Sequence, residues 1–361
     1  AAVRANYAEV RRLAGAREPI AVVKADAYGH GATAVAKALA DEGCPRFAVV
    51  TLGEAAALRE AGLEAPILLL GGVHGAGEAD DALGLGVTPV VHHRGHVERL
   101  GRAASGRGEA VPVHVEVDTG MSRMGVPAAE AVALLESIER SPTLVLEGVY
   151  THFARADEAD LGPTREQLAR FQAVLEAARE RGISPGIVHT ANSAGLVAEP
   201  AIGATLPETH AVRPGLMLYG AQPTPHTPVP LQPAMTLRTQ VVAVRDVPQG
   251  TAVGYSALYR APRPTRIATL AIGYADGVPV STSGRGCVLI RGQRRPIAGR
   301  VSMDFVSVDL GGEPAEIGDE AVLFGEAQGA RLPVEEAAAS AGTISYELLV
   351  RVGSRVPREI V

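Results

Sequence analysis

From the first residue to about residue 220, short apolar runs of β type alternate with segments whose apolar residues recur at helical spacing. The runs are PIAVVK, FAVV, APILLL, TPVV, VPVHVEV, LVLEGVY, GIVHT and AVRPGLMLY. Between them lie segments such as ATAVAKALADEG, GEAAALREAG, AEAVALLESIER and TREQLARFQAVLEAARERG, several of which stop at glycine. Near-continuous apolar strands separated by helices predict a parallel sheet buried on both faces. Eight such units are the number that closes a (β/α)8 TIM-type barrel, with an open doubly wound sheet as the alternative. The opening stretch AAVRANYAEVRRLAG predicts an amphipathic helix with Tyr7, Val10 and Leu13 on one stripe. It has no apolar secretory core, and it starts abruptly inside structure, so a truncated sequence is one reading of it.

The texture changes at AQPTPHTPVPLQP, where the density of proline forbids regular structure and favours an extended linker. Beyond it MTLRTQVVAVRDV, TRIATLAIGYA, CVLIRGQRRPIAG, DFVSVDL and DEAVLFG follow one another with turn residues between them. The pattern predicts two domains: a barrel over 1–222 and a smaller all-β domain over 223–361, with the stretch VEEAAASAGTISYELLVRVG helical near its end.

Composition narrows the classes. The 361 residues are 47% hydrophobic and 20% charged, an ordinary globular balance, and no apolar run approaches the roughly 20 residues of a spanning helix. A net charge of -6 spread along the chain gives no basic face for a phosphate backbone, so neither nucleic acid nor membrane is an expected partner. Cys44 and Cys287, far apart, exclude a disulfide framework and a cysteine-built metal site, which fits a reducing cytoplasm.

In a barrel, the C-terminal ends of the strands face the site. Strand one ends in Lys24 after Ala21, Val22 and Val23, where desolvation favours the neutral amine that can attack an aldehyde; pairing with Asp26 is the competing structural reading. The fifth strand ends in Glu116 and Asp118, with Arg123 nearby, and the sixth in Thr151 and His152. The seventh ends in His189, Thr190, Asn192 and Ser193, and the eighth in Arg213, Pro214 and Gly215. Singly, His152 reads as a satisfied histidine, Arg213 as half of an ion pair, and Asn192 and Ser193 as helix caps. One ligand in the barrel mouth explains them together. His92, His93 and His96 could suggest a metal, but with no carboxylate or cysteine company they are expected to be exposed, and no metal is assigned.

The segment AVVKADAYGHG at 21–31 closely resembles the cofactor-lysine signature of the alanine racemase family, fold-type III pyridoxal-phosphate enzymes. DTGMSRMG, YTHFARAD, ANSAG, VRPGLMLYG, VGYSALYRA, IGYADG and GRVSMDF follow in the order seen in that family, across nearly the whole chain. The resemblance implies an isomerase that interconverts L-alanine and D-alanine and so supplies D-alanine for the cell wall. Its cofactor would be pyridoxal 5'-phosphate, carried by Lys24 as a Schiff base, with Lys24 and Tyr255 as the two acid/base groups. It further implies phosphate contacts from Tyr28, Ser193, Gly215, Leu216 and Tyr346, His152 against the cofactor ring, Asn192 beside it, and Arg213 facing the pyridine nitrogen. Arg123 would lie near the cofactor phenolate and the substrate.

The family is a head-to-tail homodimer, so Tyr255, Tyr274, Met303 and Asp304 are expected to reach the partner's site. A guanidinium cannot accept a hydrogen bond and is never deprotonated, so Arg213 would limit the cofactor's capacity as an electron sink, which suits loss and return of a single proton. One departure is visible: Glu116 stands where many members have a carbamylated lysine, and a pairing with Arg123, directly or through water, is expected. A barrel-type decarboxylase of basic amino acids is disfavoured by Ser302 and Met303, where those enzymes carry a reactive cysteine. A non-catalytic carrier of the cofactor is disfavoured by the β domain bearing Tyr255. Racemases of serine, lysine or arginine share the pattern.

Overall fold

The computed structural model describes residues 1–75, 77–108, 110–202 and 209–361. Eight parallel strands follow one another: β1 (Glu18–Val22), β2 (Arg46–Val49), β3 (Ile67–Leu69), β4 (Thr88–Val91), β5 (Val111–Asp118), β6 (Leu144–Tyr150), β7 (Ile187–Asn192) and β8 (Thr209–Arg213). Each pairs with the next, and β8 pairs back onto β1 through Glu18 opposite Ala211, so the sheet is closed. Neighbouring residues on a strand face opposite sides. Ile20 and Ala21 are nevertheless both fully buried, as are Val90 and Val91, because the barrel interior covers one face and the helices the other.

The helices alternate with the strands: α1 (Ala2–Ala14), α2 (Lys24–Gly29), α3 (Ala32–Asp41), α4 (Leu52–Glu60), α5 (Glu78–Gly84), α6 (Arg94–Ala104), α7 (Ala128–Glu139), α8 (Gly162–Glu180) and α9 (Ser193–Ile202). The predicted stripe on α1 is real: Tyr7 and Val10 are buried, and Leu13 packs against the core partly covered. The run AVRPGLMLY does not stay extended. β8 stops at Arg213, because Pro214 has no N–H to give a ladder, and Leu216–Tyr219 coils into a 3-10 turn.

The C-terminal part is an antiparallel sheet of β9 (Leu237–Val247), β10 (Thr265–Leu270), β11 (Cys287–Ile290), β12 (Gln293–Pro296), β13 (Val306–Gly311), β14 (Glu320–Ala327) and β15 (Ala330–Leu332). Its spatial order is β12-β11-β14-β9-β10-β13, with β15 paired to β14. Two short helices follow, α10 (Val334–Ser340) and α11 (Ser345–Val350), and they return to the barrel. α11 lies so close to α2 that a side chain at Gly29 would overlap the Leu349 carbonyl. Arg358 donates two hydrogen bonds to the Gly29 carbonyl, at 3.1 and 3.2 Å. One hydrophobic core runs through both parts, from Tyr28 and Leu216 to Leu348 and Val352. Among the described residues no helix is long and apolar enough to cross a membrane.

Candidate active site

Lys24 leaves β1 at the barrel mouth and enters an unusual turn. Ala25, Asp26, Ala27 and Tyr28 all have φ of 52 to 54° and ψ of 39 to 52°, a full turn of left-handed helix with no glycine until Gly29. Each such residue costs on the order of 1–2 kcal/mol, so the turn must be held from outside. The carboxylate of Glu54 does much of this. It accepts the amide of Ala25 at 2.7 Å with one oxygen, and those of Val50 (2.8 Å) and Thr51 (3.1 Å) with the other. Asp26, the sequence's alternative partner for Lys24, instead accepts the Ala32 amide at 2.7 Å. Burial and then the charge of Arg123 push the Lys24 ammonium below its ordinary range, against weaker attraction from Glu54 and Glu116. The amine is thereby biased toward its nucleophilic form.

Across the mouth, Arg213 ends β8 and is buried at 3% exposure. Its guanidinium donates to His189 Nδ1 (2.7 Å), to the carbonyls of Thr151 (2.7 Å) and Thr190 (3.1 Å), and to His152 Nδ1 (3.3 Å). It also lies 4.5 Å above the centroid of the Tyr150 ring. His152 is held well below the usual histidine range by burial, then by Arg213, Arg123 and Lys24, so its imidazole is neutral. Its other nitrogen lies 3.4 Å from Asn192 Nδ2, while Asn192 Oδ1 caps α9 by accepting the Gly195 amide at 2.8 Å.

At the rim between β7 and β8, the Ser193 hydroxyl accepts the amides of Gly215 (3.0 Å) and Met217 (3.3 Å). Gly215 is required by space: a side chain there would overlap the Tyr28 hydroxyl. Tyr28 stacks on Tyr219 at 4.8 Å and lies 6.0 Å from Tyr346, whose phenol burial pushes up to about 12. Leu216 is buried beneath them. The start of α9, the backbone around Gly215 and two protonated phenols make a cradle of donors kept open by a missing Cβ. The residues therefore fit a flat aromatic ring with an anionic tail: amine at one end, buried guanidinium on the floor, donors at the rim.

The pairing expected between Glu116 and Arg123 is not made directly. Glu116 is buried at 6% exposure and accepts the Tyr150 hydroxyl at 2.9 Å, while Arg123 is exposed. A correction concerns the histidines. His92 is buried with Nδ1 3.3 Å from the Glu116 carboxylate, and His96 is fully buried against it; His93 alone matches the expected exposure. Among the described residues no group of three metal-binding side chains could hold an ion. Tyr255, Tyr274 and Met303 stand 68%, 45% and 51% exposed on the C-terminal part. Asp304 pairs there with Arg355 at 2.9 Å. Among the described residues no hydrogen bond or ion pair joins these four to the barrel mouth.

Sequence reasoning missed Glu54, Tyr150, His114 and Glu147, and noted His189 only as a strand end. The signal for the buried ones was a polar residue interrupting an apolar strand, as in VPVHVEV and LVLEGVY.

Two family models cover the chain: "Alanine racemase, N-terminal domain" matches residues 1–223 and "Alanine racemase, C-terminal domain" residues 234–360. The chain is 44% identical to the alanine racemase of Desulforamulus reducens over 99% of its own length and 96% of that protein's. The crystal structure of alanine racemase from the D-cycloserine producer Streptomyces lavendulae superposes with a TM-score of 0.92 at 38% identity, covering 99% of this chain and 94% of that one. The biosynthetic alanine racemase of Pseudomonas aeruginosa gives 0.88 at 39% identity, with 99% and 96% covered.

Proposed function

Because the chain belongs to the alanine racemase family, we propose that its barrel mouth exchanges the Cα proton of alanine between two faces and so interconverts the L and D forms. The observation that carries the reading is Lys24, an amine at a strand end that burial pushes below its ordinary range, at the same end of the barrel as the buried Arg213 and the cradle at Gly215. The cofactor is pyridoxal 5'-phosphate, held by Lys24, Tyr28, His152, Asn192, Ser193, Arg213, Gly215, Leu216 and Tyr346. When bound, it supplies an electrophilic carbonyl carbon and an electron-withdrawing ring that acidifies the Cα–H of an amino acid.

The protein's part is to place two proton-carrying groups on opposite sides of that carbon. The Lys24 amine takes or returns the proton on one face, and the phenol of Tyr255 serves the other. Tyr255 comes from a second copy of the chain in a head-to-tail homodimer, with Tyr274, Met303 and Asp304 around it and Arg123 beside the substrate. The exposure of Tyr255, Tyr274 and Met303 on one chain supports that assembly. We further propose domains at 1–222 and 223–361, a cytoplasmic location, and D-alanine delivered to cell-wall synthesis.

The test is enantiomer exchange with purified protein and separate L-amino acids. Wild type racemises alanine, Lys24→Ala does not, and Tyr255→Phe loses racemisation in both directions while still exchanging the Cα proton of one enantiomer with deuterated solvent. Absence of alanine racemisation in wild type that carries the cofactor would defeat the reading, and solvent exchange lost equally from both enantiomers in Tyr255→Phe would defeat the second base.

A further inference from the structure

The barrel axis holds a line of polar groups, buried from Arg213 to His114 and partly exposed at Glu147 and Arg46, that the proton exchange does not use. It begins at Arg213, the last residue of β8. The guanidinium can only donate, so His189 Nδ1, 2.7 Å away, must be an unprotonated acceptor. The proton of a neutral His189 then sits on Nε2, which is 2.8 Å from His114 Nδ1. His114 Nδ1 accepts in turn, its own proton is on Nε2, and Nε2 lies 3.3 Å from Glu147 Oε2. The other oxygen of Glu147 accepts from Arg46 at 3.0 Å, and Arg46 reaches toward Glu18 at 3.8 Å. Arg213 is at the mouth; Arg46 and Glu18 are the first residues of β2 and β1, at the opposite end of the barrel.

We infer that His189, His114 and Glu147 are positioning residues: a one-way hydrogen-bond chain, anchored by the Glu147 carboxylate, that fixes the His189 tautomer and so holds Arg213 at the pocket floor. This rests on the reading of Arg213 given above.

Every link has one consistent assignment. The reversed tautomer of His189 would set an N–H against the guanidinium donors at 2.7 Å in a site with 0% exposure. A charged His114 or His189 would do the same to its neighbour, and burial keeps both imidazoles below their usual range. The Glu147 carboxyl is held down at about 2, first by the His114 hydrogen bond, so it stays an acceptor. The place for the His114 ring is built in: a side chain at Gly148 would overlap it. The Tyr150 ring stacks on His189 at 4.6 Å and so fixes the plane in which Arg213 is met. The chain is not a proton wire, because the group at its head does not give its proton up.

The test uses holoenzyme with 15N-labelled histidine and the variants Glu147→Gln and Glu147→Asp. In wild type, long-range proton–nitrogen correlation shows His114 and His189 each protonated on Nε2 alone from pH 6 to 9. In Glu147→Gln the amide cannot accept from both His114 and Arg46. His114 then populates the other tautomer, and kcat falls about tenfold or more with KM changed less than about twofold. Glu147→Asp, which keeps the charge, restores part of the loss. An Nδ1-protonated or doubly protonated His189 in wild type overturns the inference, and that measurement decides it even where a variant does not fold. A Glu147→Gln enzyme with wild-type kcat overturns it too. Failure of the site assignment is distinct: wild type would then lack bound cofactor or racemisation while the two tautomers persist.

Discussion

Single atoms decide what the pocket admits. Gly215 works by lacking one carbon: Tyr28 cannot step back from an added Cβ, because its ring is stacked on Tyr219 at 4.8 Å. Gly215→Ala is therefore expected to strain the rim by about 1–3 kcal/mol. It should also weaken cofactor binding about tenfold, roughly 1.4 kcal/mol. Absorbance titration of apoprotein with pyridoxal phosphate, together with a thermal midpoint, checks this; unchanged values of both would contradict it. Lys24, His152 and Arg213 were readable at this scale because each is a polar residue ending an apolar strand. Glu116 was readable in place, but its contacts with Tyr150 and His92 were not, because strand neighbours rather than chain distance set them.

Among the elements, the eight strands were legible because most of their residues are buried on both faces and therefore nearly continuously apolar, and the helices because theirs recur at 3.6. The turn that carries Lys24 was not. KADAY holds no glycine and no turn signal, and its left-handed course is imposed by Glu54, 29 residues on from Ala25, and by the return of the chain at Leu349 and Arg358. Glu54→Gln replaces one acceptor with a donor facing a backbone N–H. The expected result is a loss of about 1–3 kcal/mol in stability and weaker retention of cofactor at equal protein concentration. Chemical denaturation and gel filtration followed by absorbance test it; a variant of wild-type stability would show that the turn does not depend on that carboxylate.

For the whole molecule, the distribution of buried histidines sets the response to acid. His30 and His92 are driven by burial from the usual 6.5 to about 4, and His96 to about 3. Between pH 6.5 and 4 the unfolded chain takes up protons that the folded chain refuses, so stability falls as pH drops through that window. Glu147, held at about 2 in the fold, adds a further loss as pH falls from about 4.5 toward 2. Calorimetry from pH 8 to 4 should give a thermal midpoint that is level above pH 7 and declines steeply below 6.5. A midpoint constant across that range would contradict it. The left-handed turn has a bearing on timing as well. It is braced by residue 54 from one side and by residues 349 and 358 from the other. A ribosome extends the chain from its N-terminus, so the barrel strands emerge long before the second brace. The reactive amine thus acquires its set position late in synthesis, and an unfinished chain carries the lysine without the geometry that makes it more than a lysine.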